Sequence, residues 1–188
     1  MVNRSRVSVR CLVATAVAVG CCAGLRVRAQ VPDTHIPAAH GTTLTGTTVA
    51  LPAALKGKVG VLVLGFSHAS QGEVASWGRL LDANYGKSND VAYFELPMIG
   101  GAPKMLRGMI VKKMGSAVPG AEKQHYIPLV EGEPAWRAAA HYDEPDDAYV
   151  MLVDDEGLIL WQTEGEATDA AWGELKRRLA KVFGTDPQ

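Results

Sequence analysis

The run Val59-Gly-Val-Leu-Val-Leu-Gly-Phe-Ser67 constrains this chain more than any other segment. It is short, apolar and rich in β-branched residues, the pattern of a strand buried on both faces rather than one. His68 and Ala69 follow, and from Ser70 onward Val74, Trp77, Leu80 and Leu81 recur at helical spacing. The spacing predicts a helix over 70–84. Ser70 and Glu73 stand at capping-box separation, the serine placed to accept from an amide at the helix start and the glutamate to reach back.

The remaining elements follow in an informative order. Asp90-Val-Ala-Tyr-Phe-Glu-Leu-Pro97 reads as a second strand ended by proline. Residues 104–116 form an amphipathic helix, with Met105, Met109, Ile110 and Met114 in one stripe and Arg107, Lys112 and Lys113 outside it. That stripe reads first as core and second as an adaptable partner surface. Tyr126-Ile-Pro-Leu-Val130 is a short strand or extended lead into a helix over 133–141, and Asp143 to Asp147 form a solvated acidic turn. Two apolar runs, from Tyr149 and to Trp161, flank Asp154-Asp-Glu-Gly157 and predict a β-hairpin with its glycine in the turn. Thr168 or Asp169 caps a last helix that ends at Val182, with Ala171, Leu175, Leu179 and Val182 turned inward. Upstream, residues 30–58 are rich in Thr, Gly and Pro, with weak strand alternation from Leu44 to Leu51.

The N-terminus has a different character. Arg4, Arg6 and Arg10 precede an apolar run from Cys11 to Leu25, and Val27-Arg-Ala29 places small residues at the minus-three and minus-one positions. This is the anatomy of a secretory signal cleaved after Ala29, and the run is shorter than the roughly 18 residues of a spanning helix. The expectation is an exported, periplasmic chain, with membrane contact only if the segment stays uncleaved or carries lipid at Cys21 or Cys22. Cys11, Cys21 and Cys22 are the only cysteines, so the remainder has none. Of 19 basic and 20 acidic residues, five arginines fall within positions 4–28, which leaves the rest acidic by six. That balance argues against a nucleic-acid surface. Gly100-Gly101 lacks the spacing and the lysine of a phosphate loop.

A βαβ half followed by a ββα half is the thioredoxin-like arrangement: an α/β, three-layer fold with a mixed central sheet and helices on both faces. Chains of that kind carry Cys-x-x-Cys at the strand-to-helix turn, where this one reads Ser70-Gln-Gly-Glu73. No proline stands just before Tyr149, where redox-active members place one beside the thiols. Phe66-Ser67 ahead of Ser76-Trp77, together with Tyr149-Val-Met-Leu-Val-Asp154, Gly157-Leu-Ile-Leu-Trp161 and Gly165-Glu-Ala, resembles the ATP-ten assembly-factor family. The resemblance spans roughly residues 51–179. It implies a thioredoxin-like domain that lacks redox cysteines and assists assembly of the membrane sector of F-type ATP synthase.

The expected organisation is a signal over 1–29, an N-terminal extension or lead-in strand over 30–50, the thioredoxin-like domain over 51–183, and a tail over 184–188. The expected function is protein binding, with a membrane-complex subunit as the implied partner. The candidate face is the start of the first helix: Phe66, Ser67, His68, Ser70, Glu73 and Trp77. Trp77 has an equally good reading as core. No catalytic residue, metal or cofactor is assigned, and thiol redox chemistry is excluded for want of cysteine beyond residue 22. Two alternatives stay open. One is an enzyme with His68 and Glu73 as acid and base. The other is a metal- or ligand-binding protein that uses some of the scattered His35, His40, His68, His125 and His141.

Overall fold

In a computed structural model that describes residues 34–185, the apolar run is a strand buried at every position, and the other elements are arranged around it. The chain begins with a hairpin of β1 (Ala39–Thr42) and β2 (Thr48–Leu51) and continues into the central strand β3 (Val59–Gly65). Then come α1 (Gln71–Tyr85), β4 (Val91–Pro97), α2 (Lys104–Ala117), α3 (Glu133–Ala139), β5 (Ala148–Val153), β6 (Ile159–Glu164) and α4 (Asp169–Val182). The signal-like segment 1–29, its three cysteines and residues 186–188 lie outside the described residues.

β3 pairs in parallel with β4 and antiparallel with β5, which pairs antiparallel with β6, giving the order β4-β3-β5-β6. The sheet is therefore mixed, as the element order requires. Alternate side chains of β3 leave on opposite faces. Val59, Val61 and Val63 join Trp77 and Leu81 of α1 and Trp172, Leu175 and Leu179 of α4. Leu62 and Leu64 join Trp136 of α3, with Leu51 and Leu55 of the N-terminal region. Helices thus cover both faces, and neither face of β3 meets water.

The free edge of β4 is covered by the segment 126–129. Glu95 N–H donates to His125 O, Ile127 N–H to Glu95 O and Leu129 N–H to Pro97 O, at 2.8–2.9 Å. The segment runs parallel to β4 through bridges at Tyr126 and Leu129, so the extended reading of 126–130 holds. β1 and β2 pack over it, and a Cβ at Gly41 would lie 2.3 Å from Ile127 Cγ2. The alternation expected from Leu44 to Leu51 is only half strand, because 43–47 is the hairpin turn, closed by Thr43 N–H donating to Thr47 O.

The late hairpin forms as expected, and its turn shows why glycine stands there. Gly157 has φ of +89°, and a Cβ on it would meet Ile36 and Pro52 at 2.9 Å. Asp154 Oδ1 accepts from the amides of Glu156 and Leu158. Thr168 caps α4, its Oγ1 accepting from Ala171 N–H at 3.2 Å.

Two expectations about helix faces are corrected. Val182 is exposed, and Trp172 takes the inner position instead. In α2 only Met114 is buried, whereas Met105 is 87 % and Met109 63 % exposed. A single amphipathic stripe does not bury itself when the helix meets the body of the protein only through its last two turns. The described residues hold no helix long and apolar enough to cross a membrane.

Trp77 is fully buried, and its Nε1 donates to Gly165 O at 2.9 Å, tying α1 to the loop ahead of α4. Trp77→Ala is expected to lower unfolding free energy by about 3–5 kcal/mol, read as a shift in the urea midpoint.

Candidate functional site

The junction between β3 and α1 is built from polar residues that bind backbone. Ser67 Oγ accepts from the amides of Ala69 (2.9 Å) and Ser70 (3.1 Å) and donates to Asp146 Oδ1 (3.2 Å). The hydroxyl of Ser70 is buried and donates to Ser67 O at 3.1 Å. The expected capping box does not form. Ser70 already has helical backbone angles, so it cannot act as the flanking residue of the box, and the capping role passes to Ser67, a turn earlier. Glu73 turns outward to β5, accepting from Ala148 N–H at 2.8 Å. Ser76 Oγ donates to Glu73 O and accepts from Ala167 N–H. The helix start is thereby pinned to two distant points of the chain.

Of the six residues expected to form a partner-binding face, three are inside. Phe66, Ser70 and Trp77 are buried; Phe66 lies edge-on to Tyr142 and Tyr149, with ring centroids 5.0 and 5.6 Å away. His68 is exposed, while Ser67 and Glu73 are half-buried. Of the six, only Ser67, His68 and Glu73 reach the surface, because Phe66, Ser70 and Trp77 pack into the core. No hydrogen bond joins His68 to Glu73 among the described residues, and Glu73 is engaged with Ala148. No cluster of three or more metal-ligating side chains converges among the described residues.

Beside this junction lies a feature that sequence reasoning missed. A cavity of about 670 Å³ opens between α1 and α2. Val74, Ala75 and Arg79 of α1 form one wall, and Met109, Ile110 and Met114 of α2 the other. His68 stands at its junction end, and Glu95, Glu122, Tyr126 and Lys113 are among the other residues that line it. Glu95 is 1 % exposed, and its Oε1 has no hydrogen-bond partner among the described residues. Burial, aided by the negative charges of Glu122 and Asp82 and opposed by Arg79, pushes its carboxyl up to about 8. Burial and Asp82 likewise raise Glu122. Burial, with Glu95 adding, raises the Tyr126 hydroxyl. Behind them Tyr93 Oη donates to Asp82 Oδ1 at 3.1 Å. His125 stacks on the Tyr93 ring at 4.0 Å, and burial lowers its affinity for a proton.

The sequence does carry a signal for this carboxyl. Glu95 falls on the buried period-two set of β4, with Val91 and Tyr93. Gly78 lies one residue from Trp77 on the inner face of α1. A Cβ at Gly78 would come within 2.6 Å of the Glu95 carboxyl carbon. An acid in step with buried positions, opposite a helical glycine, marks a place made for it.

Two measurements test this geometry. Ser67→Ala is expected to cost about 1 kcal/mol of stability, and Ser70→Ala less, in chemical denaturation. For Glu95 the sign follows from its raised value. The folded chain keeps the proton up to about pH 8, and the unfolded carboxyl releases it near 4.5. Stability that is full below the lower value is therefore lost as pH rises through the upper one. Glu95→Gln is expected to gain on the parent by on the order of 2 kcal/mol between pH 6 and pH 9, measured by urea unfolding across that range.

Comparison with known proteins places this architecture. The family model described as ATP10 protein matches residues 33–182. Among solved structures, the chain is similar to a protein assigned as the thiol:disulfide interchange protein DsbE from Chlorobium tepidum. Identity is 16 %, coverage 81 % of this chain and 97 % of that one, and the TM-score 0.55. BsSco, of the Sco family of cytochrome c oxidase assembly proteins, is similar at 14 % identity, 81 % and 95 % coverage and a TM-score of 0.56. The thioredoxin domain of a thiol-disulfide oxidoreductase from Bacteroides vulgatus is similar at 15 % identity, 77 % and 94 % coverage and a TM-score of 0.51. No curated protein matches. These likenesses show a thioredoxin-like fold.

Proposed function

The chain belongs to the ATP10 protein family, and from that premise we propose that it works by binding protein, as an assembly factor for a membrane complex such as ATP synthase. The observation that carries this reading is the family match over residues 33–182, which takes in every strand and helix described above. The chemistry of the junction supports it. The two thiol positions of a Cys-x-x-Cys are held by Ser70 and Glu73, both committed to backbone hydrogen bonds, and no cysteine follows residue 22. The protein in this reading is redox-inactive and not an enzyme. Export to the periplasm by the 1–29 segment belongs to the same proposal and rests on that segment's composition alone.

The surface that best suits a client lies on α2 rather than at the buried junction. Met105, Leu106 and Met109 are exposed along the helix that walls the cavity. Methionine is flexible and polarisable, so such a face adapts to apolar partners of differing shape. His68 and the exposed edge of the junction continue it.

The test is an affinity pull-down of the tagged chain from crosslinked, detergent-solubilised cells of the source organism. Enrichment of ATP synthase membrane subunits, reduced about tenfold or more by the Met105→Asp, Met109→Asp double variant, is the expected result (about 1.4 kcal/mol or more). Absence of those subunits with a well-folded bait overturns the client. Unchanged recovery with the double variant overturns the surface.

A further inference from the structure

Glu95 reaches the cavity between α1 and α2 from β4, with an oxygen that has no hydrogen-bond partner among the described residues. A buried carboxyl without a partner is destabilising, yet the fold makes room for it, because Gly78 leaves open the space in which the carboxyl rests. At about 670 Å³ the cavity has the size of a small-ligand site. Val74, Ile110 and Met114 give it apolar walls.

Charge decides what can fill such a space. The groups that face it are Glu122 and Tyr126 from the segment after α2, Arg79 from α1, Lys113 from α2 and His68 from the junction, with Asp82 acting from α1. Arg79 and Lys113 are exposed, and neither is ion-paired with Glu95 among the described residues. An incoming carboxylate or phosphate would find no counter-ion in the protonated Glu95, and beside Glu122 it would oppose ionisation of either acid in a place of low dielectric, where like charges repel strongly. A cation would meet two acids and an unsatisfied acceptor. A guanidinium brings five donors in a rigid fork and would leave several unpaired. A compact ammonium at the end of an aliphatic stem matches both the apolar walls and the single free acceptor.

We propose that this cavity is a binding site for an aliphatic chain ending in a primary ammonium group, with Glu95 as its counter-ion. Binding trades a protonated carboxyl for an ion pair, so the Glu95 proton is released to solvent as the ammonium enters. A lysine side chain of a partner polypeptide and a free alkylamine share this chemistry. The site does not depend on the assembly role, since a small amine fills it whether or not a membrane-complex partner is recovered.

The experiment is isothermal titration calorimetry of the purified full-length chain at pH 7. The probes are n-hexylammonium, n-hexanol as the neutral control and hexanoate as the anionic one. The ammonium is expected to bind at least about tenfold tighter than hexanol, with hexanoate weakest. Repeating the titration in buffers of different ionisation enthalpy should reveal release of up to about one proton. Glu95→Gln should bring hexylammonium down to the level of hexanol and leave hexanol binding unchanged, which also reports that the cavity is intact. A capped Leu-Lys-Leu peptide that binds, where its norleucine counterpart does not, supports the site and identifies a partner's lysine as the source. Binding of hexylammonium alone supports the site and identifies a free amine. Equal binding of ammonium and alcohol, binding without proton release, or an unaltered Glu95→Gln variant overturns the proposal.

Discussion

Burial of β3 on both faces is the constraint from which the rest of the architecture follows. A strand of Val and Leu with no polar side chain cannot leave either face to water, so the sheet must be sandwiched. α1 and α4 close one side, and α3 with the N-terminal hairpin closes the other. Pairing follows the same demand. β3 has β4 on one edge and β5 on the other, which satisfies its backbone groups without a free edge. The segment 126–129 in turn covers the outer edge of β4, where an unpaired edge would invite association.

The strand-to-helix turn shows how the same backbone serves when its polar residues are held by the fold. Ser67, Ser70, Glu73 and Ser76 all bond to main chain, two of them across more than seventy residues of sequence. They fix α1 against β5 and against the loop ahead of α4. Few of their lone pairs remain for a substrate, and the surface left near the turn is small. The apolar area available for contact has moved to α2, whose first turns stand away from the core.

Glu95 is the counterexample to this pattern. It occupies a core position, is desolvated, and has the acids Glu122 and Asp82 near it, with Arg79 opposing them but not ion-paired to it among the described residues. Stability alone would favour glutamine or an apolar side chain there. A glycine on the facing helix gives it room, and a cavity lies over it. A group retained against its own desolvation cost, at the floor of an accessible cleft, reads as a group kept for something it binds.

Much of the fold is legible in the order of residues. The apolar run marks β3, the aspartate–glycine turn marks the late hairpin, and helical spacing marks α1, α2 and α4, because these depend on local pattern and on whether a segment can be buried at all. The two-sided burial of the sheet is likewise legible in residue identity, as is the Ser70-Gln-Gly-Glu73 sequence at the strand-to-helix turn. Packing in three dimensions chose which faces are used. It turned Phe66 and Trp77 inward, exposed Met105 and Met109, moved the cap from Ser70 to Ser67, and sent Glu73 to Ala148. It also assembled the cavity, since Glu95, Gly78, Glu122 and Met114 lie on separate elements and meet only when α1 and α2 pack on one edge of the sheet. Periodicity records which side of an element is apolar. It does not record which other element arrives there, because that is fixed by contacts between residues far apart in the chain.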